Sequence, residues 1–393
     1  MVFYPRLILP QLEKELETSE ITVITGMRQV GKTTLLDHLF SLIDSSNKVK
    51  LDLENPLNRK VFEEENYDAI WNNLAAFGIN NRIKAYIFLD EIQHLSSIGS
   101  VVKYLSDHFE VKFVLTGSSS YYLKNLFPES MAGRKLIFEV YPLTFSEFLT
   151  FKGVVQKKPS YFAGKVASKN RILYSKLIPF YQEYLEYGGF PKIVLQENPE
   201  RKKTLLSEIF TSYYERDVKS LSDFKDTAKL RDLILLLIPR IGSRIEVTKL
   251  SASLGLSRET IYSYLSFLEK TYFISLISRF SESPDRQAAG ARKLFLCDTG
   301  MANILGKTSE GQLFEQSVFQ NLHLDHALHF YTKDSAEIDF IADGKVALEV
   351  KTSASRRDID HLKRRSKSLD LAESYVISKE YSGNREVILA TDL

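Results

Sequence analysis

The chain has 393 residues, 44% hydrophobic and 26% charged, with a formal net charge of +2 and one cysteine. That length predicts two to four domains, and the near-neutral charge excludes a globally basic nucleic-acid coat while leaving local basic faces open. Cys297 cannot form an internal disulfide, has no Cys or His at zinc-finger spacing, and reads as a small buried hydrophobe on a strand.

In chain order, residues 4–19 space their apolar positions helically, and "EITVITG" is a buried-strand run ending in glycine. "KVKLDLEN", "KAYIFLDEI", "VKFVLTGSS" and "RKLIFEVYPL" are further apolar runs separated by charged or helical sequence. They predict a parallel sheet covered on both faces, an α/β nucleotide-binding core over residues 1–148. Residues 149–224 become helical and aromatic, interrupted by a basic, glycine-containing stretch near 152–170 and by "GGFP", and read as a helical lid. Residues 225–290 show helical periods and then "YFISLISRF", predicting a winged helix-turn-helix. Strands return over residues 291–393, and there is no internal repeat or low-complexity tract. No apolar run approaches the ~20 residues that span a bilayer, and Arg6, Glu13, Lys14 and Glu15 interrupt any signal-peptide core. The expectation is a cytoplasmic protein without a membrane partner.

"GMRQVGKT", Gly26 to Thr33, fits G-x-x-x-x-G-K-[ST] between a strand and a helix, where a phosphate cradle belongs. Gly26, Met27, Arg28, Gln29, Val30, Gly31, Lys32, Thr33 and Thr34 would surround the phosphates of ATP with backbone N–H groups at a helix N-terminus. Lys32 would reach the β and γ phosphates, and the Thr33 hydroxyl would hold Mg2+. "YIFLDE" ends a buried strand in two acids: Asp90 to hold Mg2+ through water, Glu91 to orient the attacking water. Thr116 and Ser118 in "LTGSSS" are either γ-phosphate sensors or turn formers. Arg134 is either an arginine finger, acting in its own chain or in a neighbouring copy of a homo-oligomer, or one half of a surface ion pair.

The order "GMRQVGKTTLL", "FLDEIQ", "VLTGSSS", "AGRKLIFEVYPLTFSEFL" and "YLEYGGFPKIVL" resembles the prokaryotic AAA+-type ATPases that join an N-terminal ATPase to a C-terminal domain of unknown function. The resemblance continues through "LFLCDTGMAN", "FEQSVFQNL" and "EIDFIADGKVALEVK". It implies ATP binding, with Lys32, Thr33, Asp90 and Glu91 at the family's ATPase positions.

In "VTKLSASLGLSRETIYSYLSFLEKTYFI", a first helix ends at Gly255 and Ser257 caps a second whose apolar face carries Ile261, Leu265 and Leu268. Its outward residues, Arg258, Glu259, Tyr262, Ser263 and Ser266, are mixed rather than basic, so DNA and protein are both open as partners.

Near the C-terminus, Glu349 and Lys351 in "ALEVKTS" lie two apart and share one face of a strand, with Asp339 on the strand before. A three-residue loop Ala342-Asp343-Gly344 would pair Glu337 with Glu349 and set Asp339 diagonal to Glu349; a two-residue loop would turn Asp339 away. Glu315 on an upstream helix completes the set. The stretch resembles the D…(D/E)-x-K signature of restriction-endonuclease-like nucleases. That resemblance implies a metal held by Glu315, Asp339 and Glu349, with Lys351 positioning the attacking water; the alternatives are solvated surface pairs or a nuclease fold without turnover. "SRRDIDHLKRRSK" is a basic helix suited to a phosphate backbone or simply to water. The two functional readings are an ATP-driven DNA-processing enzyme, which keeps or lacks cleavage, and a nucleotide-dependent switch that binds proteins.

Overall fold

The computed structural model describes residues 3–118, 133–155, 159–219, 226–281, 283, 285, 287, 290–333 and 336–393. Ser119 and Ser120 of "LTGSSS", residues 156–158 of the basic stretch and the 224/225 boundary lie outside them. The chain forms two compact units, residues 1–141 with 270–272, and residues 142–269 with 273–393. The first break in packing falls between Tyr141 and Pro142.

In the first unit, β1 (Ile21–Thr25), β2 (Lys48–Asp52), β3 (Ala85–Asp90), β4 (Val111–Gly117) and β5 (Lys135–Glu139) form one sheet in the order β2-β3-β4-β1-β5. Every pairing is parallel, as the apolar runs predict. β1 and β4 are buried along their whole length, which is why they read as unbroken apolar runs rather than alternating ones. The helices of this unit include α1 (Leu9–Lys14), α2 (Lys32–Leu42), α3 (Tyr67–Ala75) and α4 (Ile98–His108). Ile70, Trp71 and Leu74 of α3 and Val101, Val102 and Leu105 of α4 share a core with Ile87, Leu89, Phe113 and Leu115 of the sheet.

The second unit begins with α5 (Phe145–Phe151), α6 (Arg171–Tyr187) and α7 (Pro199–Tyr213). Next come α8 (Thr227–Leu237), α9 (Val247–Leu254) and α10 (Arg258–Lys270), then β6 (Ile274–Ile277) paired antiparallel with β7 (Lys293–Leu296). Gly255 ends α9 with a left-handed φ of 64°, the conformation glycine adopts most readily. After α11 (Thr299–Leu305) and α12 (Glu310–Leu322), strands β8 (Leu328–Lys333), β9 (Ala336–Ala342), β10 (Val346–Lys351), β11 (Glu373–Ser378) and β12 (Val387–Leu389) form a second sheet in the order β12-β11-β10-β9-β8. β8, β9 and β10 pair antiparallel; β10, β11 and β12 pair parallel, with α13 (Arg356–Ser368) crossing from β10 to β11. Ile359 and Leu362 of α13 pack on Ile338, Ile341, Ala347, Val376 and Val387. Among the described residues, no helix is long and apolar enough to cross a membrane.

One buried carboxylate ties this unit together. Asp298 is wholly buried and accepts from Gly189 N (2.6 Å), Gly300 N (2.9 Å), Met301 N (3.2 Å) and Gln320 Nε2 (3.0 Å). Burial nonetheless pushes its carboxyl up to about 6, against the pull of those donors. A Cβ on Gly188 would fall 1.8 Å from Asp298 Oδ1, and one on Gly189 would fall 2.3 Å from Leu143 O, so "GGFP" has room for nothing larger. Cys297, next to Asp298, is buried just beyond the end of β7.

Replacing Asp298 with Ala strips three backbone N–H groups and one amide of their acceptor. At about 1–3 kcal/mol for each buried donor left unpaired, urea denaturation of Asp298→Ala is expected to show a loss of at least about 3 kcal/mol.

Candidate functional site

Because all strands of the first sheet run the same way, their C-terminal ends share one edge. The "GMRQVGKT" loop leaves β1 there, Asp90 ends β3 and Thr116 lies near the end of β4. Gly26 (φ 148°) tolerates no side chain, since its Cβ would lie 2.0 Å from Val140 O. Gln29 (φ 64°) and Gly31 (φ 101°) also take positive φ, and Gly31 caps α2, whose first N–H groups have no partner within the helix. Lys32 is buried inside this turn, with Nζ donating to Gly26 O and Met27 O at 2.9 Å each. Thr33 and Thr34 are exposed at the start of α2. Arg6, read from sequence only as a charge that interrupts a signal-peptide core, is buried and donates from Nη1 to Val30 O (2.8 Å) and from Nη2 to Tyr141 O (2.8 Å), fixing the loop from behind. A charged residue in an otherwise apolar N-terminal stretch was its one sequence signal.

β4 separates β1 from β3, so Asp90 stands roughly 10 Å from the loop strand, two strand spacings away. Asp90 is buried, and its Oδ1 accepts from the Thr116 hydroxyl and from Glu91 N (3.1 Å). Thr116 thus orients Asp90 across the β3–β4 edge, a role beyond either sequence alternative. Ser118 is buried, with its N–H toward Gln93 Oε1 at 3.4 Å. Glu91 holds a left-handed φ of 54°, and its carboxylate accepts from Gln93 Nε2. Gln93, a second residue missed from sequence, therefore reaches both Glu91 and the end of β4.

Arg134 lies elsewhere. Its carbonyl accepts from Ile21 N at the N-terminal end of β1, and its guanidinium pairs with Asp107 on the surface. At about 3.3 Å per strand residue, the length of β1 puts it some 15 Å from its own phosphate loop. The finger role within one chain is thereby corrected, because parallel strands carry the start of β5 to the opposite edge.

In the second sheet, Val346 pairs with Ala342, Ala347 with Ile341 and Leu348 with Phe340. The loop is therefore Asp343-Gly344-Lys345, one residue later than expected, and continuing the register sets Asp339 directly opposite Glu349 rather than diagonal to it. Asp343 (φ 52°) and Gly344 (φ 67°) both adopt the left-handed region, which moves the turn forward. Both registers keep the two acids on one face, and Asp339 Oδ2 accepts from Val350 N at 2.8 Å.

What sequence did not reveal is Lys293, buried at the start of β7. Its Nζ lies 2.6 Å from Glu315 Oε1, 3.3 Å from Glu337 Oε1 and 3.7 Å from Asp339 Oδ1. Lys351 takes Glu349 Oε1 at 2.9 Å, and Arg365 of α13 approaches its Oε2 at 3.8 Å. Burial opposes the charge on Lys293, but Glu315 and Asp339 outweigh it and hold the ammonium above its ordinary range. Burial, then the Asp339 charge, push the Glu315 carboxyl up to about 8. Burial likewise raises Glu349. Among the described residues, no three His, Cys, Asp or Glu side chains converge as a metal site. The expected ligands Glu315, Asp339 and Glu349 do not converge: the Lys293 ammonium stands between Glu315 and Asp339, and Glu349 faces Lys351 and Arg365. At an effective dielectric near 20, two unit charges ~4 Å apart interact by about 4 kcal/mol, so a divalent ion beside Lys293 would meet repulsion of about 8 kcal/mol.

Residues 18–149 match the AAA domain family model, and residues 178–312 match that of a domain of unknown function (DUF8612). The chain is similar to an uncharacterized protein of Haemophilus influenzae, 29% identical over 98% of this chain and 96% of the relative. It is also similar to one of Methanocaldococcus jannaschii, 27% identical over 93% and 83%. A Signal Transduction ATPase with Numerous Domains from Pyrococcus horikoshii, with a tetratricopeptide repeat sensor, superposes with a TM-score of 0.31 at 14% identity, over 82% of this chain and 46% of that one. A superposition that loose adds nothing to the family match. The AAA match lies almost wholly within the first unit, which is therefore similar to AAA domains over residues 18–141. The second match includes Lys293 but stops at residue 312, before Glu315, Asp339 and Glu349.

Proposed function

We propose that this protein is a Mg2+-dependent ATPase whose nucleotide state controls nucleic-acid binding by its second unit. The observation that carries the ATPase reading is the shared sheet edge: the glycine loop with buried Lys32 on β1, and Asp90, oriented by Thr116, on β3. The residues fit the cofactor, because Thr33 is exposed at a helix start on the sheet edge where Asp90 ends β3, and Asp90 has no cationic partner among the described residues. Thr33 and Asp90 would hold Mg2+, which supplies charge neutralisation on the phosphates when bound. Lys32 turns from the loop carbonyls to phosphate oxygens, Gly31 and α2 present N–H donors, and Glu91, steadied by Gln93, orients the attacking water. Any finger role for Arg134 belongs to a neighbouring copy.

For the second unit, α8, α9, α10 and the β6–β7 pair support a winged helix-turn-helix, and α12, β8–β11 and α13 support a nuclease-like fold. Residues 270–272, the last residue of α10 and the two that follow it, belong to the first unit, giving nucleotide-driven change a covalent route to that element. The phosphate-binding face is α13: Arg357, Arg364 and Lys367 are exposed and have no carboxylate partner among the described residues, whereas Arg356 and Lys363 pair with Glu386. The face of α10 favours a protein contact instead. There, Ile245, Val247, Leu265 and Leu276 line a groove of about 490 Å³ beside Tyr262, which is 61% exposed.

Two measurements test this reading. Lys32→Ala is expected to abolish ATP turnover and weaken ATP binding at least about tenfold, while Glu91→Gln keeps binding and loses roughly 10²–10⁴ in kcat; turnover that survives Lys32→Ala refutes the cradle assignment. In duplex DNA titrations, log K is expected to fall linearly with log salt concentration, and Arg357→Ala with Arg364→Ala to flatten the slope by about 2. A parent protein that binds no DNA at low salt leaves the protein-binding switch as the reading.

A further inference from the structure

The acidic pocket that resembles a nuclease centre already contains a cation of its own. Lys293 enters from β7, almost fully buried, and its ammonium lies among Glu315 of α12 and Glu337 and Asp339 of β9. Carboxylates that bind Mg2+ must bring their oxygens to about 2.0–2.1 Å from the ion; an ammonium 2.6 Å from Glu315 Oε1 occupies that approach. The rest of the pocket is spoken for as well. Asp339 Oδ2 is held by Val350 N, and Glu349 faces Lys351 and Arg365. Gly242 closes the far side, since a Cβ there would fall 2.8 Å from Glu315 Oε2.

We propose that Lys293 is the resident counter-cation of this pocket, and that with its ammonium in place the pocket takes no divalent ion. The second unit then has no metal-assisted route to phosphodiester cleavage. Glu315 Oε1 is met by the Lys293 ammonium at 2.6 Å, whereas Arg365 comes no nearer than 3.8 Å to Glu349 Oε2. The pocket therefore keeps its affinity for positive charge, and Lys293 is what satisfies it. This inference rests on the nuclease-like reading of the second unit but not on DNA binding, and its test is read without DNA.

The test is Mn2+ binding to the full chain without nucleotide, followed by the electron paramagnetic resonance signal of free Mn2+ and by Tm. The parent protein is expected to show no Mn2+ site that Asp339→Asn removes. Lys293→Gln is expected to bind Mn2+ at least about a hundredfold more tightly than the parent, and Lys293→Gln with Asp339→Asn to lose that gain. Should Lys293→Gln be poorly folded alone, added Mn2+ is expected to raise its Tm by several degrees while leaving the parent unmoved. An Asp339-dependent Mn2+ site in the parent overturns the proposal. So does a Lys293→Gln protein that neither binds Mn2+ nor is stabilised by it, because the pocket would then have no cation position for Lys293 to fill. Either outcome leaves the salt dependence of DNA binding to be judged separately.

Discussion

A charged group taken out of water must be answered by partners within hydrogen-bond reach, and this requirement organises both units. Asp298 is answered by the N–H groups of Gly189, Gly300 and Met301 and by Gln320, which fixes the end of α6 against α11 and α12. Lys293 is answered by Glu315, Glu337 and Asp339, which joins β7, α12 and β9. In the first unit, Arg6 is answered by two loop carbonyls, and Lys32 by two more. Glycines sit where these charges leave no room for a side chain, as at Gly188 against Asp298 and Gly242 against Glu315.

The two charged sites differ in what they leave available. At the nucleotide edge, the interactions of Asp90 come from a hydroxyl and an N–H, neither of which cancels its charge, and Lys32 is held by neutral carbonyls that a phosphate oxygen readily outcompetes. The site is therefore electrostatically open to an anion carrying its own Mg2+. In the C-terminal pocket, Lys293, Lys351 and Arg365 stand against Glu315, Glu337, Asp339 and Glu349, so the local charge is largely cancelled. Similar residue types thus serve opposite ends: one set waits for a ligand, and the other is already satisfied from within.

Legibility in the sequence followed the distance over which each feature is built. The glycine loop was readable because its donors come from one contiguous stretch of backbone between a buried strand and a helix. β1, β3 and β4 were readable because strands buried on both faces must be apolar throughout. The β9–β10 hairpin was half readable: alternation fixed which side chains share a face, but Asp343 and Gly344 both accept positive φ, and so the turn could begin at either of two residues. Lys293 was not readable, because it lies 44 residues from Glu337 in the chain and nothing local distinguishes it from any lysine that opens a strand.

By itself, then, the sequence determined the glycine loop between β1 and α2, the acid at the end of β3, the parallel sheet and the common face of Asp339, Glu349 and Lys351, since each depends on backbone conformation or on side-chain alternation within a few residues. Only the tertiary structure decided that Arg134 faces the wrong edge, that Thr116 orients Asp90, and that an ammonium from β7 sits among the acids of α12 and β9. Those outcomes depend on which distant strand ends are brought together, and Coulomb forces between buried groups respond to that proximity rather than to order along the chain.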